Sequence, residues 1–85
     1  MRWREARKYG VTRLAVLRKA MELARDGKCK GTPKDALPAM ILAGILDDQD
    51  SDLVMRPGFD WQGLIDLISQ LLPLILQIIT IFGGL

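Results

Sequence analysis

Two spacings of apolar residues organise the chain. From Trp3 to Ala24 they recur every third or fourth position. Trp3, Ala6, Gly10, Leu14, Leu17, Met21 and Ala24 share one helical stripe about 120° wide, and arginine and lysine take most of the remaining circumference. The pattern predicts an amphipathic basic helix over residues 3–25. Gly10 weakens its middle, Thr12 offers an N-cap for the firmer part, and Gly27 suits the position just past its end. After the linker "GKCKGTPKD" comes "ALPAMILAGIL", apolar throughout but only about 11 residues long, which predicts a short buried helix and not a membrane span. Thr32 as a cap, Pro33 at the first helical position and Asp35 as a capping-box acid mark its start; Pro38 delays or kinks it.

The third segment, "LIDLISQLLPLILQIITIF", runs from Leu64 to Phe82 and holds six leucines, six isoleucines and one phenylalanine. Asp60 is placed as its N-cap, with Phe59 and Leu64 spaced for a hydrophobic staple. Its six other residues are Asp66, Ser69, Gln70, Pro73, Gln77 and Thr80, and on a helical wheel they fall within one sector of about 100°. About three quarters of the circumference must therefore escape water, the reverse of an ordinary surface helix. Lipid or several protein neighbours are expected to cover it, and the polar stripe is expected to hydrogen-bond to its own copy on a neighbouring helix. Pro73 frees the carbonyl of Ser69 on that stripe, which a glutamine amide from a neighbour could satisfy. A straight helix of this length measures about 28 Å and just matches a hydrocarbon core. Its aliphatic residues favour insertion by about 4–8 kcal/mol, much of which the aspartate, glutamines and proline offset. Trp61 suits an aromatic anchor at the headgroup level, or simple packing in a core.

Charge sharpens the picture. Eleven of the twelve lysines and arginines lie at or before Lys34, against three acids there, a local net of +8. From Asp35 onward one cation, Arg56, faces seven acids, a net of −6. A basic end of this kind suits an anionic surface, lipid headgroup or nucleic-acid phosphate, for which Arg2, Arg4, Arg7, Lys8, Arg18, Lys19 and Arg25 are the expected contacts. Trp3 and Tyr9 lie among these charges, but no recognition motif accompanies them, so nucleic-acid binding would be independent of sequence. A solvated helix face explains the same charges equally well.

Candidate chemistry is sparse. The chain has one cysteine and no histidine, which excludes an internal disulfide, multi-cysteine metal sites and histidine-based catalysis. Cys29 between Lys28 and Lys30 has the flanks of a low-pKa thiol but no adjacent base. "DDQDSD" begins with the alternate aspartates of a calcium loop (Asp48, Asp50, Asp52), yet its sixth position is Leu53 and its twelfth is Phe59, so an acidic turn is the default. "GKCKGT" holds the letters of a phosphate loop in the wrong order. No secretory signal is visible, since an amphipathic segment follows the charged start. No cofactor, metal or small-molecule substrate is expected, and no enzymatic activity.

The sequence thus predicts an all-α protein of two or three helices in three parts: a basic amphipathic helix over 1–27, a linker with a short apolar helix and acidic turn over 28–58, and a hydrophobic helix over 59–85. With "FDWQGLIDLISQLLPLILQIITIF", this layout resembles small hydrophobic-tailed phage proteins, among them minor membrane or virion components. The resemblance implies a multi-copy structural part of a particle and assigns no site residues. The expected placement is at a membrane or within a virion, with the basic end on the cytoplasmic or interior side. Two alternatives stand beside it. One is a soluble homo-oligomeric adaptor whose tail helices form a central bundle while the basic helices bind nucleic acid or an acidic partner. The other is a holin-like, pore-forming protein whose polar stripe lines water.

Overall fold

In the first basic segment the chain turns sharply at Gly10, which adopts a left-handed φ of 77°, a conformation open to glycine but costly for a residue with a Cβ. The computed structural model describes residues 1–49 and 58–83. All regular structure among these residues is helical: α1 (Trp3–Ala6), α2 (Arg13–Arg25), α3 (Leu37–Asp48), α4 (Trp61–Ser69) and α5 (Leu72–Phe82), with 3-10 turns at Arg7–Tyr9 and Lys34–Ala36. The expected all-α class holds. The expected two or three helices become five because Gly10 and Pro73 each divide a predicted segment in two.

The break at Gly10 changes which face of the basic helix is buried. Thr12 caps α2, its hydroxyl oxygen accepting from the Ala15 amide at 3.0 Å. With α1 no longer in phase with α2, the expected stripe is not continuous through Leu14. Leu14 is 60% exposed; of the expected stripe Ala6 and Ala24 are buried, and α2 also buries Val16, Ala20 and Leu23, which lie outside it. Val11, carried inward by the turn, is fully buried.

The long straight tail helix is also not observed. Pro73 has no amide hydrogen, and its ring would strike the Ser69 carbonyl in a continuous helix. The chain tightens at Gln70 and Leu71, whose amides donate to Leu67 and Ile68 carbonyls three residues back. A new helix then starts with Pro73 in its first turn, where no amide partner is needed. The axes of α4 and α5 differ by 67°. This corner lets the two helices cover two surfaces: α5 packs on α2, α4 packs on α3, and α2 packs on α3.

The covering of the tail therefore comes largely from its own chain. Leu64, Leu67, Ile68, Ile75 and Ile79 are buried together with Leu37, Ile41, Leu42, Ile45 and Leu46 of α3 and the apolar face of α2. The radius of gyration of 12.3 Å matches the roughly 12 Å of a compact chain of this length.

Small residues set the closest approaches. A Cβ on Gly83 would overlap the Ala24 carbonyl, so the end of α5 lies against the end of α2. The start of α3 differs in detail from the sequence expectation. The helix begins at Leu37 with Pro38 in its first turn and no side-chain cap, while the Thr32 hydroxyl donates back to the Lys28 carbonyl at 3.3 Å. Tyr9 packs edge-on against Phe59 at 5.4 Å between ring centres, and the Gln49 amide donates to the Tyr9 carbonyl at 2.9 Å. These contacts tie the Gly10 corner to the end of α3 and the approach to α4.

Candidate functional site

The six residues of the polar tail stripe, Asp66, Ser69, Gln70, Pro73, Gln77 and Thr80, are all exposed. The corner distributes them: Asp66 and Ser69 ride on α4, Gln70 sits at the bend, and Pro73, Gln77 and Thr80 ride on α5. Several are already engaged locally. The Ser69 hydroxyl donates to the Ile65 carbonyl and the Thr80 hydroxyl to the Leu76 carbonyl, both at 2.8 Å. The Gln62 amide donates to Asp66 at 3.0 Å. Asp60 caps α4, its carboxylate accepting from the Gly63 amide at 2.9 Å. The Ser69 and Thr80 hydroxyls thus spend their hydrogens within their own helices, leaving the amides of Gln70 and Gln77 as the stripe's main outward groups.

Around Gln77 the surface is apolar. Leu74 and Ile81 are exposed on its side of α5, while Phe82 is exposed farther round the helix. A shallow hollow of about 380 Å³ is lined by Leu76, Gln77, Thr80 and Ile81. This outer face of α5 is turned away from the core that Ile75 and Ile79 join.

The expected anionic-surface cations divide into two kinds. Arg2, Arg4, Arg7, Lys8, Arg18 and Arg25 are exposed. Lys19 is different: its side chain is only 12% exposed, its ammonium lies 2.7 Å from Glu22, and it also pairs with Asp48 of α3. Its aliphatic stem passes over Gly44, where a Cβ would come within 3.0 Å of it. The bond to Asp48, then the bond to Glu22, hold the Lys19 pKa above its ordinary value of 10.5. Lys19 is a clasp between α2 and α3, its charge already answered within the chain.

A cluster that the sequence reading did not single out lies where α1 meets the start of α2. Trp3, Arg4, Arg7, Thr12, Arg13 and Leu14 line an open cavity of about 430 Å³. The Arg13 guanidinium stands 5.0 Å from the centre of the Trp3 ring, a cation–π contact. The signal was present in the string as Arg4 and Arg7, three apart, and an arginine directly after the Thr12 cap. It was hidden because one continuous helix would put Arg13 roughly 120–180° round the circumference from Arg7 and Arg4, whereas the turn at Gly10 brings Arg13 against Trp3.

Reactive chemistry is thin elsewhere. Cys29 is buried, and desolvation pushes its thiol pKa up, opposite to the activated thiol that its lysine flanks invite. Among the described residues no three metal-ligating side chains converge. Of the acidic turn, Asp47 and Asp48 end α3, while Asp50 and Asp52 of the calcium-like spacing lie outside the described residues. No family model matches the chain, and comparison with curated proteins and with solved structures returns no match.

Proposed function

We propose that this is a small non-enzymatic assembly protein that acts in several copies, joined through the outer face of α5, with its arginine-rich side laid on a polyanionic surface. The observation that carries this reading is the apolar patch left on α5 after the chain has folded. Ile81 is 74% exposed and shares a hollow with Leu76, Gln77 and Thr80, and Leu74 is exposed on the same side of the helix. A second copy brings the same patch and the same amide. Gln77 both donates and accepts, so two copies related by a two-fold axis can pair it with itself while covering the surrounding apolar surface. The resemblance to multi-copy phage components points the same way, and the exposed arginines supply the polyanion-facing side.

A lipid-anchored form is the second reading. Among the described residues no single helix is long and apolar enough to cross a membrane, but α4 and α5 together reach that length and apolarity across their 67° bend. Sedimentation equilibrium in detergent-free buffer separates the two. The assembly reading expects a concentration-dependent oligomer that Ile81→Lys converts to monomer without loss of helicity. Recovery of the chain in the lipid fraction after an alkaline wash, with no oligomer in buffer, would favour the anchor. Dye release from liposomes would indicate the pore-forming alternative.

A further inference from the structure

The cavity between α1 and α2 has the chemistry of a ligand site, and we propose that it binds a nucleotide unit, the phosphate among Arg4, Arg7 and Arg13 and the base against Trp3 and the Arg13 plane. The proposal deepens the polyanion-facing part of the reading above and rests on it.

Charge is the first ground. Three guanidinium groups line one cavity whose other walls are Trp3, Thr12 and Leu14, with no carboxylate among them. The ion pairs among the described residues all involve Lys19, so none of them engages these three arginines. A phosphate supplies the opposite charge and accepts from guanidinium forks two bonds at a time. The start of α2 adds to this. The Thr12 oxygen is occupied by the Ala15 amide, and the first amides of the helix have no partner within it. They lie at the positive end of a 13-residue helix, and the residues that carry them line the cavity.

The second ground is the aromatic wall. The Arg13 guanidinium lies 5.0 Å from the centre of the Trp3 ring, and aromatic rings and guanidinium planes are the groups on which nucleobases stack. Leu14, 60% exposed on the rim, offers apolar contact for a ring or sugar. A volume of about 430 Å³ is far more than a bare phosphate needs and falls in the range of sites for small organic ligands.

A lipid headgroup offers the same phosphate, but the fold argues against it. The apolar end of α5 that would accompany a headgroup into a bilayer lies beside Ala24, at the far end of α2 from Thr12. That is a separation of about 18 Å along a helix of this length.

The test uses the full chain at one fixed low salt concentration. Binding of adenosine monophosphate, inorganic phosphate, adenosine, a short single-stranded oligonucleotide and phosphatidylglycerol vesicles is measured by calorimetry. The nucleotide is expected to bind at least tenfold more tightly than phosphate or adenosine alone. Arg4→Gln with Arg7→Gln should weaken it tenfold or more. Arg4→Lys with Arg7→Lys, which keeps the charge but not the forked geometry, should still weaken it several-fold. Lys28→Gln with Lys30→Gln, beyond the other end of α2, should leave it within twofold, and circular dichroism checks that all variants remain folded. Tighter binding of the oligonucleotide identifies nucleic acid as the source of the unit; tighter binding of the mononucleotide identifies a free nucleotide. Equal losses in the two glutamine doubles would show diffuse charge and overturn the cavity assignment. Phosphate binding as well as the nucleotide, or vesicles preferred through Arg4 and Arg7, would overturn the nucleotide. If the wild type bound none of these anions, the polyanion-facing side of the proposed function would fall as well, while the α5 contact stands or falls by sedimentation alone.

Discussion

Lys19 shows how a side chain's charge can be legible in the sequence while its partners are not. Its place on the basic face of the first helix gives no hint that Gly44 of α3 clears a path for its stem, or that Asp48 waits at the end of that path. Both partners belong to an apolar segment and a turn that sequence reasoning treats separately from the basic helix. Asp48→Asn is expected to lower stability by about 0.5–1 kcal/mol in urea titrations at neutral pH, the modest value of a partly exposed pair. The pH dependence has a defined sign. Because folding raises the Lys19 pKa, its contribution is fully present below 10.5 and is lost as pH rises through the higher folded value. The stability gap between wild type and Asp48→Asn should therefore narrow above pH 10.5, and a gap that widened there would rule out the clasp.

Between elements, the decisive residues are the two that interrupt helices. The helical character of all three segments was legible, because apolar spacing and capping residues such as Thr12 and Asp60 act within a few positions. Less legible was the consequence of each interruption. Gly10 weakens a helix on paper, but its left-handed turn also shifts the phase of the apolar stripe, exposing Leu14 and burying Val16. Pro73 on a straight wheel joins a tidy polar stripe; in three dimensions it divides that stripe between two helices. The wheel nevertheless places Leu64, Ile68, Ile75 and Ile79 opposite the polar sector, and those four are the fully buried residues of α4 and α5. The arginine cavity was illegible for the reason that makes Gly10 matter: it exists only once α1 folds back. The division of labour on α5 can be measured. Ile79→Ala should cost about 2–4 kcal/mol in chemical denaturation of the dilute monomer, as a truncation in a packed core. Ile81→Ala, on the outer face, should change it by less than about 0.5 kcal/mol. Similar losses at the two positions would mean that the two faces of α5 are not distinct.

At the scale of the whole molecule, a chain of 85 residues has little core to draw on, and burial against a second copy is a common remedy. The proposed self-association through α5 would make the thermal midpoint depend on protein concentration, because mass action favours the state that binds its partner. The midpoint should rise on going from micromolar to hundreds of micromolar in the wild type and stay flat for Ile81→Lys; a flat wild-type curve would remove the proposed contact. The corner at Gln70 and Leu71 carries a further consequence. Five large aliphatic residues of α4 and α5 are committed inward, each worth about 1.5–3 kcal/mol in burial, and α2 and α3 depend on them for their own shelter. A bilayer that recruited this tail would have to strip it from its own domain, leaving the other helices uncovered in water. Folding and insertion are rivals for the same isoleucines, so lipid capture would act on this protein as a denaturant of its amino-terminal half.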